Sequence, residues 1–129
     1  MDPRYAAVVE VLSDYFDGLY LSDTEILSQV FHPDARYVCA TEAPLVTLGM
    51  DAYLPIVAAR PSPASRGELR RDRIAGIEFA GPTTAFARVN CAIGPKYFTD
   101  FLTLILVDGR WRIIAKVFHF DLAEPSADS

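Results

Sequence analysis

Residues Lys96–Phe120 read KYFTDFLTLILVDGRWRIIAKVFHF, two long β-type runs that meet at Asp108-Gly109. An Asp-Gly pair between β-branched and aromatic runs is the strongest short-range signal for a hairpin. With a two-residue loop, Val107 faces Arg110 and the pairing runs outward from there. Side chains alternate along a strand, so Phe98, Asp100, Leu102, Leu104 and Leu106 then share a face with Trp111, Ile113, Ala115, Val117 and His119. That face is apolar except for one carboxylate and one imidazole, both near the end remote from the turn. The other face carries Phe101, Ile105, Ile114, Lys116 and Phe118 among threonines and Arg112. The hairpin thus predicts the wall of a pocket on one side and half of an interface on the other. Asp-Gly also suits a three-residue loop with a glycine bulge. Asp100 would then face Lys116, and His119 would turn to the opposite side. The first register is preferred because it collects the apolar residues together.

Upstream of the hairpin, Glu68–Phe79 and Thr83–Ile93 form another strand pair around Ala80-Gly81-Pro82. Its Ala85, Ala87, Val89 and Cys91 put small residues on one face and leave room opposite. The stretch 60–67, RPSPASRG, is rich in breakers and reads as an exposed loop at a pocket rim. Met50–Arg60 is a helix with Tyr53, Leu54, Ile56 and Val57 as its apolar content, and Pro55 belongs in its first turn or kinks it. Ala35–Thr41 and Leu45–Leu48 are short strands. Ser22-Asp23-Thr24-Glu25 is a capping box with Ser22 as cap, opening a helix that His32-Pro33 ends. Pro3–Leu19 is an amphipathic helix, with Gly18 placed for a left-handed cap. The tail, residues 121–129, is acidic and frayed. The order is α-α-β-β-α-β-β-β-β in one domain spanning residues 1–129. Helices gathered before a run of antiparallel strands predict an α+β fold, a curved sheet closed by helices into a cone with an internal cavity.

A chain of 129 residues, 51% hydrophobic and 22% charged, can bury a core without staples. Its net charge of −5 argues against nucleic acid or an anionic membrane as partner. No apolar run reaches the length of a membrane span. The N-terminus, MDPRYAAVVEVL, does not read as an export signal, which points to the cytoplasm and to two buried, reduced thiols at Cys39 and Cys91.

YFDGLY, FHPDARY, LVTLGMDAYLPIVAARPSPASRGELRRDRI and FTDFLTLILVDGRWRIIAKVF together resemble the putative lumazine-binding family. That family belongs to the nuclear transport factor 2-like superfamily, beside the SnoaL-like cyclases, and the resemblance runs from about Tyr5 to Phe120. It implies a cone-shaped α+β barrel, a homodimer packed sheet to sheet and a pterin-like or riboflavin-precursor ligand. The superfamily also holds ketosteroid isomerases, dehydratases, epoxide hydrolases and non-catalytic modules, so the fold does not settle the chemistry. No catalytic motif of those enzymes can be laid onto this chain.

Asp100 and His119 are the candidate catalytic pair, a base beside a carbonyl and its partner, or else a structural ion pair. Tyr15, Tyr20, Tyr37 and Tyr53 are candidate ligand contacts or core. Phe98 and Leu102 line the same hairpin face, and Phe31 with His32 sits at a helix end that faces the pocket or caps its own turn. Arg73 closes a basic cluster with Arg66, Arg70 and Arg71, which suits an anionic ligand or pairs with Glu68 and Asp72. Two histidines without a carboxylate cluster predict no metal, and no cofactor motif is present. Three function classes follow. Binding of a small aromatic or heterocyclic molecule leads, because no complete catalytic constellation can be identified. A cofactor-free lyase, isomerase or cyclase with Asp100 as base comes next, and a structural dimerisation domain last. The homodimer is expected through Phe101, Ile105, Ile114, Lys116 and Phe118.

Overall fold

The computed structural model describes residues 2–123, so the expected frayed tail falls largely outside them, although Asp121 and Leu122 still belong to the last strand. The chain order is α1 (Pro3–Leu21), α2 (Thr24–Val30), β1 (Phe31–Cys39), β2 (Val46–Gly49), α3 (Met50–Ala59), then β3 (Arg73–Phe79), β4 (Thr84–Ile93), β5 (Lys96–Val107) and β6 (Arg110–Leu122), with a short 3₁₀ turn at Ala64–Arg66. The six strands form one curved sheet in the order β2-β1-β6-β5-β4-β3. All neighbours are antiparallel except β1 and β6, which run parallel. This is the α+β arrangement that the element order predicts. The parallel contact was not predicted, because a strand's choice of a partner so distant in sequence leaves no local pattern.

The helices cover one face of the sheet. Val8, Leu12 and Leu19 of α1, Leu27 and Val30 of α2, and Met50 and Val57 of α3 pack on Ala85, Ala87, Val89, Leu102, Leu104 and Ile113. Each fully buried aliphatic side chain contributes roughly 1.5–3 kcal/mol. Among the described residues no helix is long and apolar enough to cross a membrane.

Four local expectations are corrected. Ser22 is not the cap of α2; it takes the left-handed position ending α1, at φ 49°, and Asp23 caps α2 by accepting from the N–H groups of Glu25 and Ile26. Gly18 is therefore inside α1, where a Cβ would stand 2.6 Å from the buried Leu27 Cδ2; its role is close approach of α2. Pro55 lies beyond the first turn of α3 on its exposed side. Residues 68–72 stay out of β3 because Glu68 is drawn inward: its carboxylate accepts from Gly94 N (2.9 Å) and pairs with Arg66 Nε (2.8 Å), and its carbonyl accepts from the Tyr20 hydroxyl (2.6 Å).

The hairpin loop holds two residues. Asp108 and Gly109 both have positive φ, 52° and 76°, the conformation of a type I′ turn, and Val107 pairs with Arg110. The register does not stay constant, however. Leu104 pairs with Ile113, whereas Thr103 pairs with Ala115, leaving Ile114 as an extra residue. A bulge flips every side chain beyond it to the other face. Lys116, Phe118 and Phe120 turn inward with Asp100, while Val117 and His119 turn outward.

Two tests follow from this packing. Gly18→Ala should destabilise the protein by about 1–3 kcal/mol, read as a lower urea midpoint, because Leu27 is held on all sides and cannot yield to the new methyl. Deleting Ile114 should remove the bulge while keeping Ile113 opposite Leu104 and Ala115 opposite Thr103, so Lys116 stays inward and unfolding stays cooperative; loss of a native transition would show that the bulge itself is required.

Candidate functional site

The bulge decides which polar groups enter the helix-covered side of the sheet. Asp100 is completely buried, and its Oδ2 accepts a hydrogen bond from the Tyr15 hydroxyl at 2.6 Å. Lys116, 5% exposed, places Nζ 4.0 Å from the same oxygen. Four rings enclose this ammonium, with centroids 5.1 Å (Tyr15), 5.4 Å (Tyr37), 5.7 Å (Tyr53) and 5.0 Å (Phe118) away. A cation over the faces of aromatic rings is stabilised by their quadrupoles, more so when desolvated. Two atoms remain unsatisfied, the Tyr53 hydroxyl and Asp100 Oδ1.

Beside this cluster the structure opens. A cavity of about 510 Å³ has Tyr37, Phe98, Phe118 and Phe120 on its sheet side. Its rim is formed by the 42–46 loop, the 60–66 loop and the turn at 93–96, so the Pro-rich loop is a rim as its composition predicts. A recess of about 10 Å³ shares Tyr37, Phe98, Arg60 and Ile93 with the cavity and is lined further by Tyr53, Cys91 and Lys116. That volume admits roughly one atom the size of a water oxygen.

Burial pushes the Tyr15 hydroxyl well above its ordinary range, and the Asp100 charge adds to the effect. Burial likewise pushes the Cys91 thiol up to about 12. For Lys116 burial alone would lower the pKa, but the oxygens of Tyr53, Asp100 and Tyr37 outweigh it and hold the amine above the ordinary lysine value. Lys116 is therefore an ammonium at neutral pH.

The expected partnership of Asp100 with His119 is corrected. With two residues in the turn but a bulge at Ile114, His119 stands on the outer face, its side chain 57% exposed, between the Thr41 hydroxyl and Asp121, each 2.9 Å away. Lys116 takes the inward position. The structure brings Tyr15, Tyr37, Tyr53 and Phe98 together around the cluster and cavity. Phe31 supports them from the core, edge-on to Tyr15 and Tyr53, and Leu102 is core as well. Tyr20 is elsewhere, bonded to Glu68 and under the Arg70 guanidinium. His32 is not at a helix end; it lies at the start of β1, where its Nδ1 accepts from the Asp34 N–H. Arg73 is exposed at the start of β3, and its neighbours are self-paired, Arg66 with Glu68 and Arg70 with Asp17 and Asp72. Lys116 and Phe118 leave the expected outer interface, which keeps Phe101, Ile105 and Ile114 and gains Val117. Sequence reasoning placed Arg60 only within the rim loop and Lys116 only as the alternative partner of Asp100, and gave neither a role as a ligand group. The Ile113-Ile114 doublet, with Lys116, Phe118 and Phe120 in one parity after it, was the available sign of the bulge.

A curved sheet closed on one side by three helices around an aromatic cavity defines the nuclear transport factor 2-like fold. Residues 3–119 match the family described as putative lumazine-binding, and the chain belongs to that family. It is similar to the aldolase FrzH of a Cladobotryum species, 40% identical over 118 residues, which cover 90% of each chain. Among solved structures it is similar to a nuclear transport factor 2-like protein of unknown function from Shewanella baltica OS155, at 29% identity, TM-score 0.80 and 95% of each chain covered. Another such protein, from Methylobacillus flagellatus KT, matches at 27% identity, TM-score 0.81 and 94% of each chain.

The buried pair makes two predictions. Lys116→Met should cost about 3–5 kcal/mol by leaving Asp100 buried and unpaired, and Asp100→Asn with Lys116→Met should recover much of that loss in urea unfolding. The folded state keeps protons on Cys91, Tyr15 and Lys116 that the unfolded chain releases near 9.0, 10.0 and 10.5. Their contribution is complete at neutral pH and is lost as pH rises past about 9, so alkaline titration should lower the melting point steadily above that value.

Proposed function

We propose that the chain is a cofactor-free enzyme acting at a carbonyl compound through an enolate. One observation carries this reading: a recess with room for a single oxygen is lined by Lys116, an ammonium, and by Tyr53, whose hydroxyl has no partner among the described residues. A carbonyl oxygen placed there receives both donors, and the charge that grows on it as the enolate forms is stabilised by groups already in position. A protonated Lys116 acts as a cation and not as an imine-forming nucleophile. Asp100 is the base. Its contact with Lys116 is loose, and Oδ1 has no other demand on it. Asp100 does not itself line the recess; as the ammonium turns to the substrate oxygen it uncovers this carboxylate, which takes the proton from the neighbouring carbon while the C–H electron pair moves to the carbonyl oxygen. The enolate carbon then attacks a second carbonyl or is reprotonated elsewhere, with the Asp100 proton returned. The likeness to a protein named as an aldolase supports this class.

The aromatic wall of the cavity favours a second reading, binding of a flat heterocycle without chemistry, in keeping with the family's name. The homodimer belongs to either reading, through the outer face where Phe101 and Val117 are 47% and 49% exposed.

Hydrogen–deuterium exchange beside the carbonyl of 4-phenylbutan-2-one and 2-oxo-4-phenylbutanoate, followed by NMR against a buffer blank, separates the two. Wild type should accelerate exchange in at least one compound, and Asp100→Asn should lose on the order of 10²–10⁴-fold while remaining folded. No acceleration, with lumazine raising the melting point, would favour the binding module. Light scattering should give a dimer that Phe101→Glu converts to monomer.

A further inference from the structure

Arg60 ends α3, and its side chain stands at the neck where the outer cavity narrows to the recess. Its Nε is closed to solvent and has no hydrogen-bond partner. Among the described residues no carboxylate lies within ion-pair distance of it. Every other arginine that lines the cavity is committed, since Arg66 is held by Glu68. Nε is out of reach of a ligand in the cavity; the two terminal nitrogens, which make no hydrogen bond among the described residues and are not closed to solvent, are the ones that would grip an anion there.

The charge around the cavity fixes the kind of anion. The chain carries −5 overall, yet among the described residues Arg60 and Lys96 of the rim pair with no carboxylate, and Glu42 is the one acidic lining residue. Lys96 Nζ rests on the Phe120 ring, 4.4 Å from its centroid. Lys116, deeper, is already neutralised by Asp100. A local surplus of about one charge suits a monoanion, and low-dielectric walls focus its attraction. A phosphate would bring a second charge and further oxygens to one guanidinium. The nearby Gly94 N–H cannot assist, being taken by Glu68. A planar fork matches a carboxylate.

We infer that the cavity selects a ligand bearing a carboxylate, gripped by Arg60 at the neck while its carbonyl oxygen enters the recess, which makes the substrate an oxo acid. The carboxylate half stands on Arg60 and the rim; the carbonyl half rests on the enolate reading above. Arg60 is then the specificity-determining residue. The aromatic floor of Tyr37, Phe98 and Phe118 takes the apolar remainder.

The test is calorimetric binding of 2-oxo-4-phenylbutanoate, 4-phenylbutanoate and the neutral 4-phenylbutan-2-one to wild type, Arg60→Met and Arg60→Lys. Wild type should bind the oxo acid at least about tenfold more tightly than the ketone, as expected for charge-assisted hydrogen bonds to a guanidinium. Arg60→Met should abolish that preference and leave ketone binding unchanged, and Arg60→Lys should recover part of it. Circular dichroism and melting point confirm that the variants are folded. Equal wild-type affinity for acid and ketone, binding of neither, or a preference that survives in Arg60→Met would each overturn the inference. Arg60-dependent binding of both acids with no hydrogen–deuterium exchange would uphold the carboxylate site and sink the enolate chemistry. Exchange of the oxo acid that ignores Arg60 would do the reverse.

Discussion

Lys116 carries a full charge into a region closed to water, and the structure around it is arranged to offset that cost. An ion moved into such a place without a partner loses several kcal/mol of hydration. Here the loss is met by one carboxylate at 4.0 Å and four aromatic faces, supplied by α1 (Tyr15), β1 (Tyr37), α3 (Tyr53) and β6 itself (Phe118). Each of those elements must dock correctly for the ammonium to be tolerated. The cluster therefore couples the helices to the sheet as well as furnishing a reactive group.

The arrangement is also incomplete in an informative way. Tyr15 satisfies one oxygen of Asp100 and leaves the other bare, while the Tyr53 hydroxyl points at nothing. Buried polar atoms are nearly always paired, so such orphans mark a place where a further group belongs. Both occur within the same cluster, and Tyr53 lines the recess at the end of the cavity. Arg60, whose Nε is also without a partner among the described residues, lines the same recess. Two residues with unmet hydrogen-bonding groups at one recess, and a third in the cluster behind Lys116, are hard to reconcile with a structure optimised for stability alone.

Much of the fold was legible because its signals are local. The positive-φ requirement of a type I′ turn selects Asp-Gly, and the turn formed at Asp108-Gly109 with the loop length preferred from sequence. The nine-element order follows from periodicity, capping residues and breakers, although α1 runs on to Leu21 and α2 stops at Val30, so Phe31, His32 and Pro33 open β1 instead of ending a helix. The misplaced cap at Ser22 shows the limit of even local signals: Asp23 is an equally good cap, and α1 claimed Ser22 for its own end. Residues 68–72, ELRRD, hold no β-branched or aromatic residue to favour a strand, and Glu68 is drawn to Arg66 and to the Gly94 N–H of a distant turn.

The candidate site divides along the same line. Composition and pattern alone identified the hairpin, the inward Asp100, the tyrosines of the helices and the rim loop, because each depends on alternation or spacing within one element. They also gave both alternatives for the partner of Asp100. Only the assembled sheet chose between them, and it did so by a route neither alternative contained, a two-residue turn followed by a bulge at Ile114. A bulge is paid for by the packing of both faces at once: it buries Phe118 and Phe120 against the cavity and exposes His119, a balance that no single strand records. The same holds for Arg60, whose significance is that it has no partner among the described residues, a property of the surroundings and not of the residue.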